Sequence, residues 1–320
     1  MRSTSPIKML LLAAVLCSTS LSAAGSPPQD APAAQPQPSI CDRKGDSSPE
    51  GQWYAGLTHS LCRSGDADSL LAVYLISFPV FAAGEPDHGV LGRAYAIGKS
   101  NPRVLWTVAI DNNCQPVVEC RGNQRAVDAA KALTRLDPGN AMAWFALAYA
   151  EDSYVTQPDE VSAALAAAAK APRVHDYTFD LTKLVARATG RVPIPDAARD
   201  NGYGVIVAPE NLRWPLVVIP SMLSPSFADW IKHDCRGDGN APPAERRTLC
   251  SAAKAQLRHG DSLLTLSENP EATTALQASM QKALGKSTDA SSKVMIDAVL
   301  HSSSEREMYA KAAAQLSQEK

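Results

Sequence analysis

The chain has 320 residues, 45% of them apolar, with 31 basic and 33 acidic residues and a formal net charge of −2. That length is enough for one or two globular domains with a sizeable core, and the near-zero charge excludes a nucleic-acid binder that works by bulk attraction. Aromatic residues make up only 6% while alanine fills roughly one position in six, which favours close-packed alanine and leucine helices over an aromatic-rich β-sandwich.

Residues 1–24 have the order of an export signal. Arg2 and Lys8 give a positive start, 9–16 is a short apolar run, and Ser22, Ala23 and Ala24 are small residues suited to cleavage before Gly25. The run is far short of the roughly 20 apolar residues a spanning helix needs. A lipid-modified Cys17 is the weaker alternative, because bulky Val15 and Leu16 precede it. A periplasmic or secreted mature chain is therefore expected, without a transmembrane segment. Loss of Arg2 and Lys8 takes its net charge from −2 to about −4. Residues 25–40 are rich in proline, with no large apolar cluster to bury, and are expected to be a disordered spacer.

Removal of the signal leaves Cys41, Cys62, Cys114, Cys120, Cys235 and Cys250. Six cysteines in an exported chain suggest three disulfides, for which 15 connectivities exist. Pairing of neighbours is the most economical, Cys41 with Cys62, Cys114 with Cys120 and Cys235 with Cys250, because long helical stretches separate the pairs. No Cys-x-x-Cys occurs, and the histidines do not cluster with these cysteines at ligand spacing, so neither redox chemistry nor zinc is expected.

From 66 to 189 the apolar spacing predicts successive helices at 66–77, 87–98, 103–112, 123–136, 141–152, 158–170 and 175–189. Proline cannot donate in a helix interior, and Pro102, Pro138 and Pro172 divide neighbouring helices at intervals of 36 and 34 residues. A period near 34 is that of a helix-turn-helix repeat. Two tryptophans keep nearly the same offset after their prolines, Trp106 after Pro102 and Trp144 after Pro138. Ordinary hairpins of an alanine-rich bundle give no reason for that register.

The residues around the second stop carry a resemblance. Ala126, Ala129 and Ala130, then Leu136-Asp137-Pro138-Gly139-Asn140, then Trp144, Leu147 and Ala148 resemble the junction between successive tetratricopeptide repeats, best over 126–172. Glu151 stands where that family has tyrosine, and Thr178 where tryptophan is expected. The preceding repeat has an insertion that contains Cys114 and Cys120. The resemblance implies an all-α fold, a tetratricopeptide-like α-solenoid of helical hairpins over 41–191. It also implies a groove lined by Met142, Phe145 and Tyr149, with Thr107 and Asp111 in comparable places one repeat earlier, that grips a protein or peptide partner. Met142, Phe145 and Tyr149 share one helical face, and burial of that stripe against a neighbouring helix is the competing reading.

In 192–320, Pro193, Pro195, Pro209, Pro215, Pro220 and Pro225 break up short apolar runs, and helical pattern returns at 226–233, 243–259, 270–284 and 289–316. This is expected to be a second helical lobe. Catalytic signatures occur there by letter only. Gly260-Asp261-Ser262-Leu263 follows a charged helix end rather than a buried strand, and Ser251-x-x-Lys254 and Ser279-x-x-Lys282 lack a following Lys-Thr-Gly. The series Asp234, Arg236, Asp238, Gly239 and Glu245 imitates a calcium loop with a cation in a ligand position. No Glu-Ser, His-Glu-x-x-His or Gly-x-Ser-x-Gly exists. The sequence thus favours a non-enzymatic, exported protein-binding repeat protein, an envelope scaffold or an immunity or inhibitor protein, with no cofactor and no metal. The alternative is a cell-wall or peptide-acting hydrolase with its site in 192–320.

Overall fold

The computed structural model describes residues 39–45, 47–80, 87–111, 124–152, 158–189 and 244–260, with positions 227, 230, 231, 298, 301, 302, 307, 308, 310, 311, 314 and 315. All of them lie in one compact unit, Pro38–Lys320. The signal and most of the spacer, Cys114, Cys120, Cys235, the calcium-like loop, the proline-broken stretch after 192 and nearly all of the last two helices expected from sequence lie outside the described residues.

Among the described residues the protein is all-helical. A 3-10 turn at Ile40–Asp42 leads into α1 (Pro49–Ser64), α2 (Ala67–Val80), α3 (His88–Ile97), α4 (Pro102–Ile110), α5 (Gln124–Leu136), α6 (Ala141–Ala150), α7 (Pro158–Ala168), α8 (Thr178–Thr189) and α9 (Ala244–Leu257). Helix α1 has the capping chemistry of an isolated unit. Ser48 accepts the Gly51 amide, Pro49 opens the first turn, and Gly65 ends the helix at a φ of 69° that only glycine adopts without strain. Helix α3 is capped by Asp87, whose other carboxylate oxygen accepts the Ile40 amide at 2.8 Å and the Ser39 hydroxyl at 2.9 Å. One aspartate therefore starts a helix and anchors the point where the chain enters the fold. Ile40, assigned to the spacer by sequence, is 2% exposed and belongs to the core.

The helices pack in consecutive pairs, α2 with α3, α4 with α5 and α6 with α7, and each pair lies against the next through α2 with α4, α3 with α4, α4 with α6 and α5 with α6. Small side chains make this close packing possible. Ala126, Ala129 and Ala130 on α5 and Ala143, Ala146, Ala148 and Ala150 on α6 are fully buried. At the foot of α3 a Cβ on Gly98 would stand 2.9 Å from the Ala67 Cβ, closer than real contacts allow, so the start of α2 approaches α3 across a glycine. Helix α8 lies against α2, and α9 against α7 and α6.

Cys41 and Cys62 form a disulfide that ties the 3-10 turn to the last turn of α1 across 21 residues. Cys250 on α9 is also disulfide-bonded. A cross-link over a loop of this length restricts the unfolded chain by about 3 kcal/mol. Replacement of both Cys41 and Cys62 by alanine is expected to lower the free energy of unfolding by about 2–4 kcal/mol in chemical denaturation. Loss of function should follow only as far as the chain unfolds.

Candidate functional site

Contacts between layers recur at nearly constant sequence separation. At the start of α4 the Asn101 side chain caps the helix by accepting the Arg103 amide, and its Nδ2 donates to Asp68 at 2.6 Å, 33 residues away. Arg103 adds an ion pair to Asp68 at 2.7 Å. At the start of α6, Asn140 repeats the device. Its Oδ1 accepts the Met142 and His175 amides at 3.1 and 2.9 Å, and its Nδ2 donates to the His175 carbonyl at 2.7 Å, 35 residues away. A short parallel bridge joins Asn140 and Arg173, with Ala141 N–H donating to the Arg173 carbonyl and Arg173 N–H to the Gly139 carbonyl.

Asp137, 7% exposed, is the acceptor at the centre of this junction. It takes hydrogen bonds from the Arg173 guanidinium, the Tyr177 hydroxyl and Asn140. Tyr177 is 4% exposed and has a φ of 57°, an uncommon backbone for a bulky residue that places its hydroxyl on Asp137 one residue before α8. Burial pushes the Tyr177 phenol above its ordinary pKa, which keeps it a donor. Next to it, burial alone would raise the Asp180 carboxyl, but the hydrogen bond and charge of His175, at 2.9 Å, outweigh burial and hold Asp180 below its ordinary value. The group is fully occupied with holding the turn after α7 to the turn after α5.

The residues expected to line a groove are found inside. Thr107, Met142 and Phe145 are 0% exposed and Tyr149 is 3% exposed. Thr107 donates its hydroxyl to the Arg103 carbonyl one turn back. Asp111 ends α4, accepts the Tyr74 hydroxyl at 2.8 Å and lies 3.2 Å from His88 Nδ1, in a small polar group between α2, α3 and α4. The structure brings Met142, Phe145 and Tyr149 together in one core, and Asp111 turns away to a different set of partners.

Tyr149 is covered by side chains from far along the sequence. The ring of Phe227 stands edge-on to Trp106 at 5.6 Å and to Tyr149 at 5.3 Å, and Trp230 is edge-on to Tyr149 at 5.8 Å. Edge-to-face pairs at these separations each add roughly 0.5–1.5 kcal/mol beyond burial. The Trp230 indole N–H donates to Asp152 at 2.8 Å across 78 residues, and Arg246 on α9 pairs with the same carboxylate oxygen at 2.5 Å. Arg246 and Asp152 side chains are each 10% exposed, so this charge pair is buried and polarised rather than a surface contact. Together Trp106, Tyr149 and Asp152 form a seat, and Phe227 and Trp230 fill it. A neighbouring pair, Lys131 with the buried Glu151 at 2.7 Å, joins α5 to the end of α6. The hydrogen bond from Lys131 to Glu151 raises the Lys131 pKa. Glu151 thus fills, with an ion pair, the position that the resemblance assigns to tyrosine.

The Trp230 contact has no signal in sequence beyond a lone tryptophan in an expected helix, because nothing local connects 230 with 152. Among the described residues no group of three or more His, Cys, Asp or Glu is placed to hold a metal, and no helix is long and apolar enough to cross a membrane. The comparisons with known proteins find no matching family, no similar curated protein and no similar solved structure.

Proposed function

We propose that this chain is a non-enzymatic helical-repeat protein of the tetratricopeptide type, exported to the periplasm or beyond, that binds a protein or peptide partner through the seat formed by Trp106, Tyr149 and Asp152. The observation that carries the reading is the content of that seat. Two aromatic side chains three residues apart, Phe227 and Trp230, are held by rings from two successive layers and by a carboxylate that reads the indole N–H. That combination of apolar area and one oriented polar contact is how a helical segment is recognised in a groove. The contacts between layers at separations of 33, 35 and 36 residues support the repeat assignment, since stacked repeats place equivalent positions against each other. An envelope scaffold and an immunity or inhibitor protein would both be served by such a seat once Phe227 and Trp230 leave it.

The test uses the full chain with Phe227→Leu and Trp230→Leu, which keep apolar volume while removing the rings, and a synthetic peptide with the sequence of residues 222–234. Saturable binding in the micromolar range by titration calorimetry is expected, weakened at least tenfold by a further Asp152→Asn. A folded double variant that takes up no peptide would overturn the reading, and would leave Phe227 and Trp230 as ordinary core.

A further inference from the structure

A second concavity lies away from the aromatic seat, between α8 and the start of α2. It is a cleft of about 210 Å³ to which α1, α2, α4 and α8 all contribute side chains. Its walls divide by chemistry. Leu61, Ala72, Leu184 and Ala188 are all at most 8% exposed and make an aliphatic floor. Asp68 and Arg103 neutralise each other at 2.7 Å, and Asn101 holds the second Asp68 oxygen, so that pair is committed to the junction between layers.

Two charges at the rim are not consumed in this way. Arg187, exposed in the last turn of α8, makes no ion pair among the described residues. Asp66 is exposed and, among the described residues, accepts from neutral donors: the hydroxyls of Ser64 and Ser69 and the amides of Ser69 and Asp68. Burial alone would raise its pKa, but these hydrogen bonds outweigh burial and hold it down to about 2, so Asp66 is an anion at any physiological pH. A fixed anion and a fixed cation therefore face a common aliphatic floor.

We propose that this cleft binds a small zwitterion with an aliphatic body, a free amino acid or dipeptide, its carboxylate on Arg187, its ammonium on Asp66 and its side chain on Leu61, Ala72, Leu184 and Ala188. The volume is below the roughly 300–1,000 Å³ typical of sites for drug-sized ligands, which limits the occupant to one or two residues. Guanidinium takes a carboxylate through two parallel hydrogen bonds, and the two ends of the ligand fix its direction across the cleft. The site is independent of the aromatic seat, and either one can be lost without the other.

The probes are L-leucine, L-leucyl-L-alanine and the doubly blocked N-acetyl-L-leucinamide, titrated into the full chain and followed by calorimetry. Saturable binding of leucine or the dipeptide, with at least tenfold weaker binding of the blocked compound, is the expected result. Arg187→Glu, at an exposed position, should weaken the zwitterion about tenfold or more. Introduced into the chain that carries Phe227→Leu and Trp230→Leu, it should leave uptake of the 222–234 peptide unchanged. Asp66→Asn keeps a competent helix cap and should also weaken binding of the zwitterion. No binding of either zwitterion, equal binding of the blocked compound, or an unchanged affinity in Arg187→Glu would overturn the proposal.

Discussion

Asn140→Ala is expected to lower the free energy of unfolding by about 3–4 kcal/mol, the largest effect for so small a change. The side chain is 0% exposed, caps α6 and bonds the next layer on both sides of its amide. Loss of the cap alone costs about 1 kcal/mol. Alanine also leaves the part-buried His175 amide and carbonyl without their partner, and each stranded group adds at most roughly 1–3 kcal/mol before relaxation. Asn140→Asp is the informative companion. It keeps the acceptor for Met142 and His175 but removes the donor to the His175 carbonyl and brings a second carboxylate beside Asp137. The aspartate variant should therefore be destabilised as well, with a midpoint that rises as pH falls toward the carboxylate range, because protonation removes the repulsion. Denaturation at several pH values checks both. An alanine variant within about 1 kcal/mol of the parent would show that the junction does not bind the layers.

Trp106→Ala should cost about 3–5 kcal/mol, with a fall in thermal midpoint on the order of 10 °C. Trp106 is the largest fully buried side chain among the described residues and touches both Tyr177 at the junction and Phe227 in the seat. Its indole N–H is buried with no hydrogen-bond partner among the described residues, so Trp106 contributes through packing rather than polarity. Trp106→Phe should for that reason cost less than about 1.5 kcal/mol, since it keeps a ring against Tyr177 and Phe227 and removes an unsatisfied donor. The contrast between the two substitutions, read in thermal and chemical denaturation, separates packing from hydrogen bonding at the point where junction and seat meet.

Much of the helical layout is legible from residues. Proline stops and alanine spacing place α2 to α8 within a few residues of their observed ends, because each boundary is local chemistry: Asp87, Asn101 and Asn140 cap, and Pro102 opens α4. Helix α1 is hidden although Ser48-Pro49 and Gly65 mark both its ends, since its polar residues and glycines blur the apolar stripe. The Cys41 to Cys62 bond follows from loop economy and is present. The fate of Met142, Phe145 and Tyr149 is not legible. A stripe at helical spacing is the same string whether solvent, a partner or another part of the chain lies against it, and the covering residues stand near 230. The cleft between α2 and α8 is equally hidden, because Asp66 and Arg187 come to line one cleft only when α8 lies against α2.

The layered helices present an aromatic seat to the 227–230 segment, with Tyr149 against Trp230 and the indole N–H on Asp152. A nuclear Overhauser spectrum of the full chain, read at the Trp230 indole, tests that arrangement without any substitution. Cross-peaks between the Tyr149 ring and the Trp230 ring, whose centroids are 5.8 Å apart, are expected, together with an indole N–H protected from solvent exchange. A Trp230 indole that exchanges at the rate of free tryptophan and shows no contact with Tyr149 would contradict it.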